Sequence, residues 1–138
     1  MMKKKALSFI MIIVIIAILA LILRVVFKQL MKIYSAQNES IAQATLKLVS
    51  TALENYARDN AGKFPENFSI LTQIHPAYLD KDYITRSPIR GYNYICSKLD
   101  VSGYICSASP SACKITGRMV YTVTTGGLFI SEGCEKKE

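Results

Sequence analysis

The side chains best suited to covalent or metal chemistry in this sequence are four cysteines, Cys96, Cys106, Cys113 and Cys134, and a single histidine, His75. All four cysteines fall in the last third of the chain and none is spaced C-x-x-C. An even set in a small domain points to disulfides formed in an oxidising compartment. The alternative is four thiolates on a zinc ion facing the cytosol, which would usually show two closely spaced pairs. Disulfides are the preferred reading on that spacing. His75, in "QIHPAY", stands alone, and general-base work needs partners within reach, so it is read as a loop contact. The sequence has no G-x-S-x-G elbow and no Walker glycine loop, and "TTGG" has the chemistry of a hairpin turn rather than of a phosphate cradle. The expectation is a non-enzyme with no catalytic residue, no cofactor and no metal.

The cysteines need elements to hold them. From Gly91 onward the apolar period is two: "YNYICSK" and "GYICSA" alternate around "LDVSG", and "RMVYTV" and "LFIS" flank "TTGG". Four short strands in two hairpins are predicted. A turn about Val101 sets Cys96 opposite Cys106, within reach of a cross-strand bridge. Cys113 precedes the third strand and Cys134 follows the fourth, so a second bridge would tie the tail to the sheet. Four cysteines allow three connectivities, and this one is favoured. Tyr92, Tyr94, Tyr104 and Tyr121 fall on these strands. They are read as cross-strand aromatic pairs, with an adhesive or subunit-contact surface as the functional alternative.

Upstream, "ALSFIMIIVIIAILALIL" carries no charge from Ala6 to Leu23, and Val25, Val26 and Phe27 continue it past Arg24. That is enough for a membrane-spanning helix of about 20 residues. A cleaved secretory signal has a shorter apolar core followed by a small-residue cleavage site. Neither feature is present, so the run is read as retained. The net charge of +7 divides unevenly: Lys3, Lys4, Lys5, Arg24, Lys28 and Lys32 precede every acid in the chain, while the remainder is nearly neutral. The basic excess therefore belongs to the membrane, with Lys3, Lys4, Lys5, Arg24 and Lys28 as headgroup anchors, and nucleic-acid binding is not expected. Basic residues flank the span equally, so the lysine and arginine rule does not orient it. The cysteines do: they place the C-terminal domain outside and the lysine cluster inside.

Between Lys28 and Gly62 there is no proline or glycine. Leu30, Ile33, Ile41, Thr45, Leu48, Ala52, Leu53 and Tyr56 recur at three- and four-residue steps, which predicts an amphipathic helix burying that stripe. Asn60, Gly62 and Pro65 supply its stop. The fold class expected is α+β: one long N-terminal helix, transmembrane in its first half and amphipathic in its second, packed on a small antiparallel sheet. The divisions are a basic cytoplasmic leader at 1–5, a transmembrane helix at 6–27, its amphipathic continuation at 28–60 and a disulfide-bonded extracytoplasmic domain at 61–138.

This order of features resembles type IV pilins and the pseudopilins of type II secretion, and the resemblance covers nearly the whole chain. It includes the junction Tyr56, Ala57, Arg58, Asp59, Asn60, Ala61, Gly62, Lys63, Phe64, Pro65, similar to the family's "YA.DN..YP". The family's leader motif is K-G-F-T-L-I-E, cut after the glycine by a prepilin peptidase. Lys5, Ala6, Leu7, Ser8, Phe9, Ile10 and Met11 fit it best, with cleavage between Ala6 and Leu7. A rival register cuts between Ser8 and Phe9. Here Ala6 stands for the glycine and Met11 for the glutamate, which in the family neutralises a neighbour's terminal amine. The resemblance implies a pilin-like fold and a structural subunit, minor rather than major, of a pilus or secretion pseudopilus. Its partners would be other pilin or pseudopilin subunits, the membrane, the prepilin peptidase and the inner-membrane assembly platform. The chain would be a single-pass protein of the bacterial inner membrane, N-terminus cytoplasmic and C-terminal domain periplasmic or extracellular. The alternative is a bitopic protein that displays a small binding domain and never polymerises.

Overall fold

The computed structural model describes residues 2–135, with side chains from Ser8 onward. Lys3, Lys4, Lys5 and the Ala6–Leu7 cleavage register lie outside the described side chains. The chain is α+β: a long apolar N-terminal helix, α1 (Met2–Asp59), a single turn α2 (Ile70–Gln73), and four strands, β1 (Tyr92–Asp100), β2 (Gly103–Pro110), β3 (Met119–Thr124) and β4 (Leu128–Gly133). Two compact units divide it, Met1–Tyr34 and Ser35–Glu138. The first is helix throughout its described length.

In the second unit, α1 has no breaker until Asn60, and its alanines, leucines, glutamines and lysines favour helix. The face it buries includes most of the one the periodicity picked out: Thr45, Ala52 and Leu53 are buried, and Ile41 and Tyr56 are half-buried. Leu48 is exposed, whereas Ser35, Asn38, Ala42, Leu46, Val49 and Ala57, outside that stripe, are buried. The buried stripe is broader than predicted because the contact with the rest of the unit admits small and hydrogen-bonding residues as well as large aliphatic ones. Asn38 turns inward to donate from Nδ2 to the Thr116 carbonyl at 2.9 Å, and Ala42, wholly buried, lets the sheet approach closely. A pattern read from hydrophobicity alone passes over both.

The sheet is an antiparallel meander in the order β1-β2-β3-β4. Residues alternate between its faces. Tyr92, Tyr94, Tyr104, Cys106, Ala108, Tyr121 and Val123 are buried in one core with α1; Ile95, Ile105 and Ile130 face outward. Ala108 pairs with Tyr94 on one side and Tyr121 on the other. Its small side chain leaves room for rings from both neighbouring strands, and Tyr92 stacks on Tyr121 with centroids 6.3 Å apart. Burying a large apolar side chain in such a layer contributes about 1.5–3 kcal/mol.

The β1–β2 turn is Val101–Ser102, since Asp100 pairs with Gly103. Continued strictly, that register would oppose Cys106 to Ser97. A bulge between Cys96 and Lys98 adds one residue to β1 and brings Cys96 opposite Cys106.

Candidate functional site

The first candidate is the apolar segment of α1. From Phe9 to Phe27 every side chain is exposed, with Phe9 at 66% and Leu23 at 67%. Exposure on all sides of this helix distinguishes it from an amphipathic surface helix, which hides one stripe. By length and composition it is long and apolar enough to cross a membrane. Arg24 and Lys28 are exposed on the same segment. Met11 and Ile13, the positions where the two registers would place the family's acid, are exposed and apolar.

The second is the junction that ends α1. Ala61 adopts φ 57° and Gly62 φ 81°, and Gly62 N donates to the Ala57 carbonyl at 2.7 Å, a helix stop of the Schellman kind. Asn60 Nδ2 donates to the Tyr56 carbonyl at 2.8 Å. The aromatic members face the core: Tyr56 meets Tyr78 edge-on at 5.6 Å, and Phe64 meets Tyr104 at 5.3 Å. Tyr78 Oη donates to Asp59 Oδ2 at 2.7 Å, and that bond, first, with burial and the carboxylate's charge behind it, raises the Tyr78 pKa. The junction thereby fastens the helix end to the loop at 64–79 and, through Phe64 N on the Val101 carbonyl at 3.2 Å, to the β1–β2 turn.

The third is a pair of polar pins from α1 to the sheet and the loops that join its strands. At one end, Asn38 holds the Thr116 carbonyl and Glu39 Oε1 accepts from Arg118 N at 2.7 Å. At the other, Glu54 Oε1 accepts both from Tyr104 Oη at 2.9 Å and from Gly126 N at 2.7 Å. Ser50 Oγ lies 2.9 Å from Tyr104 Oη; with the phenol proton given to Glu54, Ser50 is the donor there. Burial, with Glu54 beside it, pushes the Tyr104 pKa up to about 12. Sequence reading missed all four helix residues. The only signal for them was polar side chains, Asn38, Ser50 and Glu54, at helical spacing from apolar core positions.

The structure joins Cys96 to Cys106 across β1 and β2, and Cys113 to Cys134 between the 111–118 loop and the end of β4. Cys106 is in the core, while Cys113 is exposed. Close to the second bridge, Lys114 pairs with Glu135. Gly117 sits in this loop against the ring of Tyr92, whose Oη donates to the Met119 carbonyl at 2.8 Å. The strand tyrosines are buried, so they form core and not an adhesive surface. His75 is exposed in the loop after α2. Among the described residues no group of three or more histidine, cysteine or acidic side chains is placed to hold a metal ion.

No family model matches the chain, and no curated protein matches it. Among solved structures, it is similar to the non-core minor pilin PilV of Neisseria meningitidis, with 17% sequence identity over 78% of this chain and 94% of that one and a TM-score of 0.48. A likeness of this size assigns no function to the chain.

Proposed function

We propose that this chain is a structural subunit, minor in stoichiometry, of a type IV pilus or type II secretion pseudopilus, anchored and assembled through the apolar part of α1. The observation that supports it is the apolar cylinder from Phe9 to Phe27, exposed on all sides and continuous, in one unbroken helix, with the segment that carries a disulfide-bonded sheet. Before assembly, lipid tails solvate such a helix; within a filament, like helices replace them, held by van der Waals packing. The leader resemblance adds a prepilin peptidase, which would cut at Ala6 or at Ser8, and an inner-membrane assembly platform as partners. Lys3, Lys4, Lys5, Arg24 and Lys28 would anchor the unassembled subunit, with the disulfide-bonded unit outside.

Met11 is where the reading becomes specific. A terminal ammonium in an apolar medium is costly unless paired, and a helix without the acid cannot pair with a neighbour's amine. A subunit at a filament tip has no neighbour ahead of it to pair with, which is why a minor role is assigned. Filaments sheared from cells and probed for this chain, together with N-terminal sequencing of the mature protein, test the proposal. The chain in sheared filaments, starting at Leu7 or Phe9, is the expected result. A chain confined to the membrane fraction and starting at Met1 would leave the non-polymerising bitopic protein.

A further inference from the structure

The two edges of the sheet are finished differently. On β1 the outer edge is occupied: Tyr94 N donates to Ser87 Oγ at 2.7 Å, Ile89 and Tyr92 exchange backbone hydrogen bonds at 2.8 and 3.0 Å, and the bulge and the Lys98–Asp100 ion pair finish the strand. β4 pairs with β3 alone, in uninterrupted register. It contains no proline, no lysine and no bulge, and these are the devices that keep edge strands from pairing.

Which of its backbone groups are free follows from the ladder. Cys134 N donates to the Arg118 carbonyl, and antiparallel pairs alternate between bonded and non-bonded. The even-numbered residues Leu128, Ile130 and Glu132 therefore bond β3, and Phe129, Ser131 and Gly133 turn N–H and C=O to the open edge. Beside that edge runs a groove between the α1 flank at Lys47, Thr51 and Glu54 and the sheet at Gly127 and Phe129. Lys47 Nζ stands 5.7 Å over the Phe129 ring and has no ion-pair partner among the described residues. On the other face, Leu128 and Ile130 are exposed.

We propose that the open edge of β4 docks an extended segment of a partner protein, which joins the sheet as a fifth strand antiparallel to β4. Backbone hydrogen bonds from Phe129, Ser131 and Gly133 hold such a segment, and alternate side chains choose it. Its outer positions lie beside Leu128 and Ile130 and take β-branched aliphatics. Its inner position across from Phe129 takes an acid that reaches Lys47, and its outer position across from Glu132 takes a base. This site is separate from the apolar helix, and the inference does not depend on filament assembly.

The test uses the full chain in detergent micelles and the peptide Ac-Lys-Thr-Val-Glu-Val-NH2, which has that pattern in antiparallel order. Amide exchange of Phe129, Ser131 and Gly133 should slow on adding peptide, while the β3-bonded amides of Leu128, Ile130 and Glu132 stay as they are. Ser131→Pro removes an outward N–H at an edge position that proline tolerates, and it should weaken binding by about tenfold or more through the lost bond and the ring's bulk. The charge-swapped peptide Ac-Glu-Thr-Val-Lys-Val-NH2 should bind more weakly, and Lys47→Glu should narrow that gap. No slowing in the wild type at millimolar peptide overturns the site. Equal binding of the two peptides overturns the assigned segment chemistry. Slowing that appears without peptide and grows with protein concentration makes a second copy of this chain the occupant and overturns the partner assignment.

Discussion

Gly117→Ala tests the packing of the 111–118 loop on the core. A Cβ at this position would overlap Tyr92 Oη and stand 2.6 Å from two ring carbons of the same residue. Tyr92 is 0% exposed, stacked on Tyr121 and tied by its hydroxyl to the Met119 carbonyl, so the ring has nowhere to retreat. Gly117 does not adopt the positive φ that restricts a substitution, and the cost is therefore collision rather than backbone strain. Overpacking of a filled core costs about 1–3 kcal/mol, and displacing the phenol from Met119 adds about 1 kcal/mol. The expected total of about 2–4 kcal/mol lowers Tm by roughly 10–20 °C for a unit of this size. Near-ultraviolet circular dichroism of the full chain in detergent, which follows the buried tyrosines, is the assay. Tyr92→Phe removes the nearest clashing atom, so the double variant should lose less stability than the two single losses added together. Additive losses, or a Tm shift under about 3 °C for Gly117→Ala, would refute the reasoning.

Tyr104 should titrate late. Burial and then Glu54 raise its pKa to about 12, so the stability this contributes is complete below the unfolded tyrosine value near 10 and is lost as pH rises towards 12; the absorbance difference between wild type and Tyr104→Phe measures it, and Glu54→Gln should bring it down. Peptide mapping without reduction should yield Cys96 with Cys106 and Cys113 with Cys134, and removing either bridge should cost about 2–5 kcal/mol by chemical denaturation; Cys96 joined to Cys134 would contradict the β1–β2 register. For a minor subunit cut after Ala6, Met11→Glu should raise incorporation into purified filaments, and in the rival register Ile13→Glu should do so. Abundant wild-type incorporation indifferent to both changes would refute the tip assignment.

The strands were legible because alternation, turn residues and β-branched content all agree between Gly91 and Gly133. The long helix was legible because nothing between Ala6 and Asn60 breaks it. Its buried face was legible only in part: Thr45, Ala52 and Leu53 are inside as the period predicts. Leu48 satisfies a hydrophobic period but is exposed, and Asn38 and Ser50 sit inside because of partners far away in the sequence. Hydrophobic period carries no information about such partners. The bulge at Ser97 was equally hidden: a two-residue turn at Val101–Ser102 and a cysteine pair at 96 and 106 are compatible only with one extra residue in β1, and a reading centred on Val101 absorbs that residue without showing it. The open edge at β4 could be inferred only once the 84–90 segment was seen against β1, since sequence order does not say which strand a loop will cover.

The pins at Asn38–Glu39 and at Ser50–Glu54 also determine how this unit bears force. One connects the helix to the 111–118 loop, which leads into β3, and the other to β2 and the β3–β4 turn, at separate points along the helix axis. A pull along α1 therefore loads them in parallel, as shear, instead of peeling one and then the next. Slipping by one helical turn, about 5.4 Å, would break both sets of bonds together and carry the buried alanines and leucines out of register with the tyrosine layer. The unit should resist axial tension until a high threshold and then yield in one step, whereas a pull across the helix would open the pins in sequence at lower force.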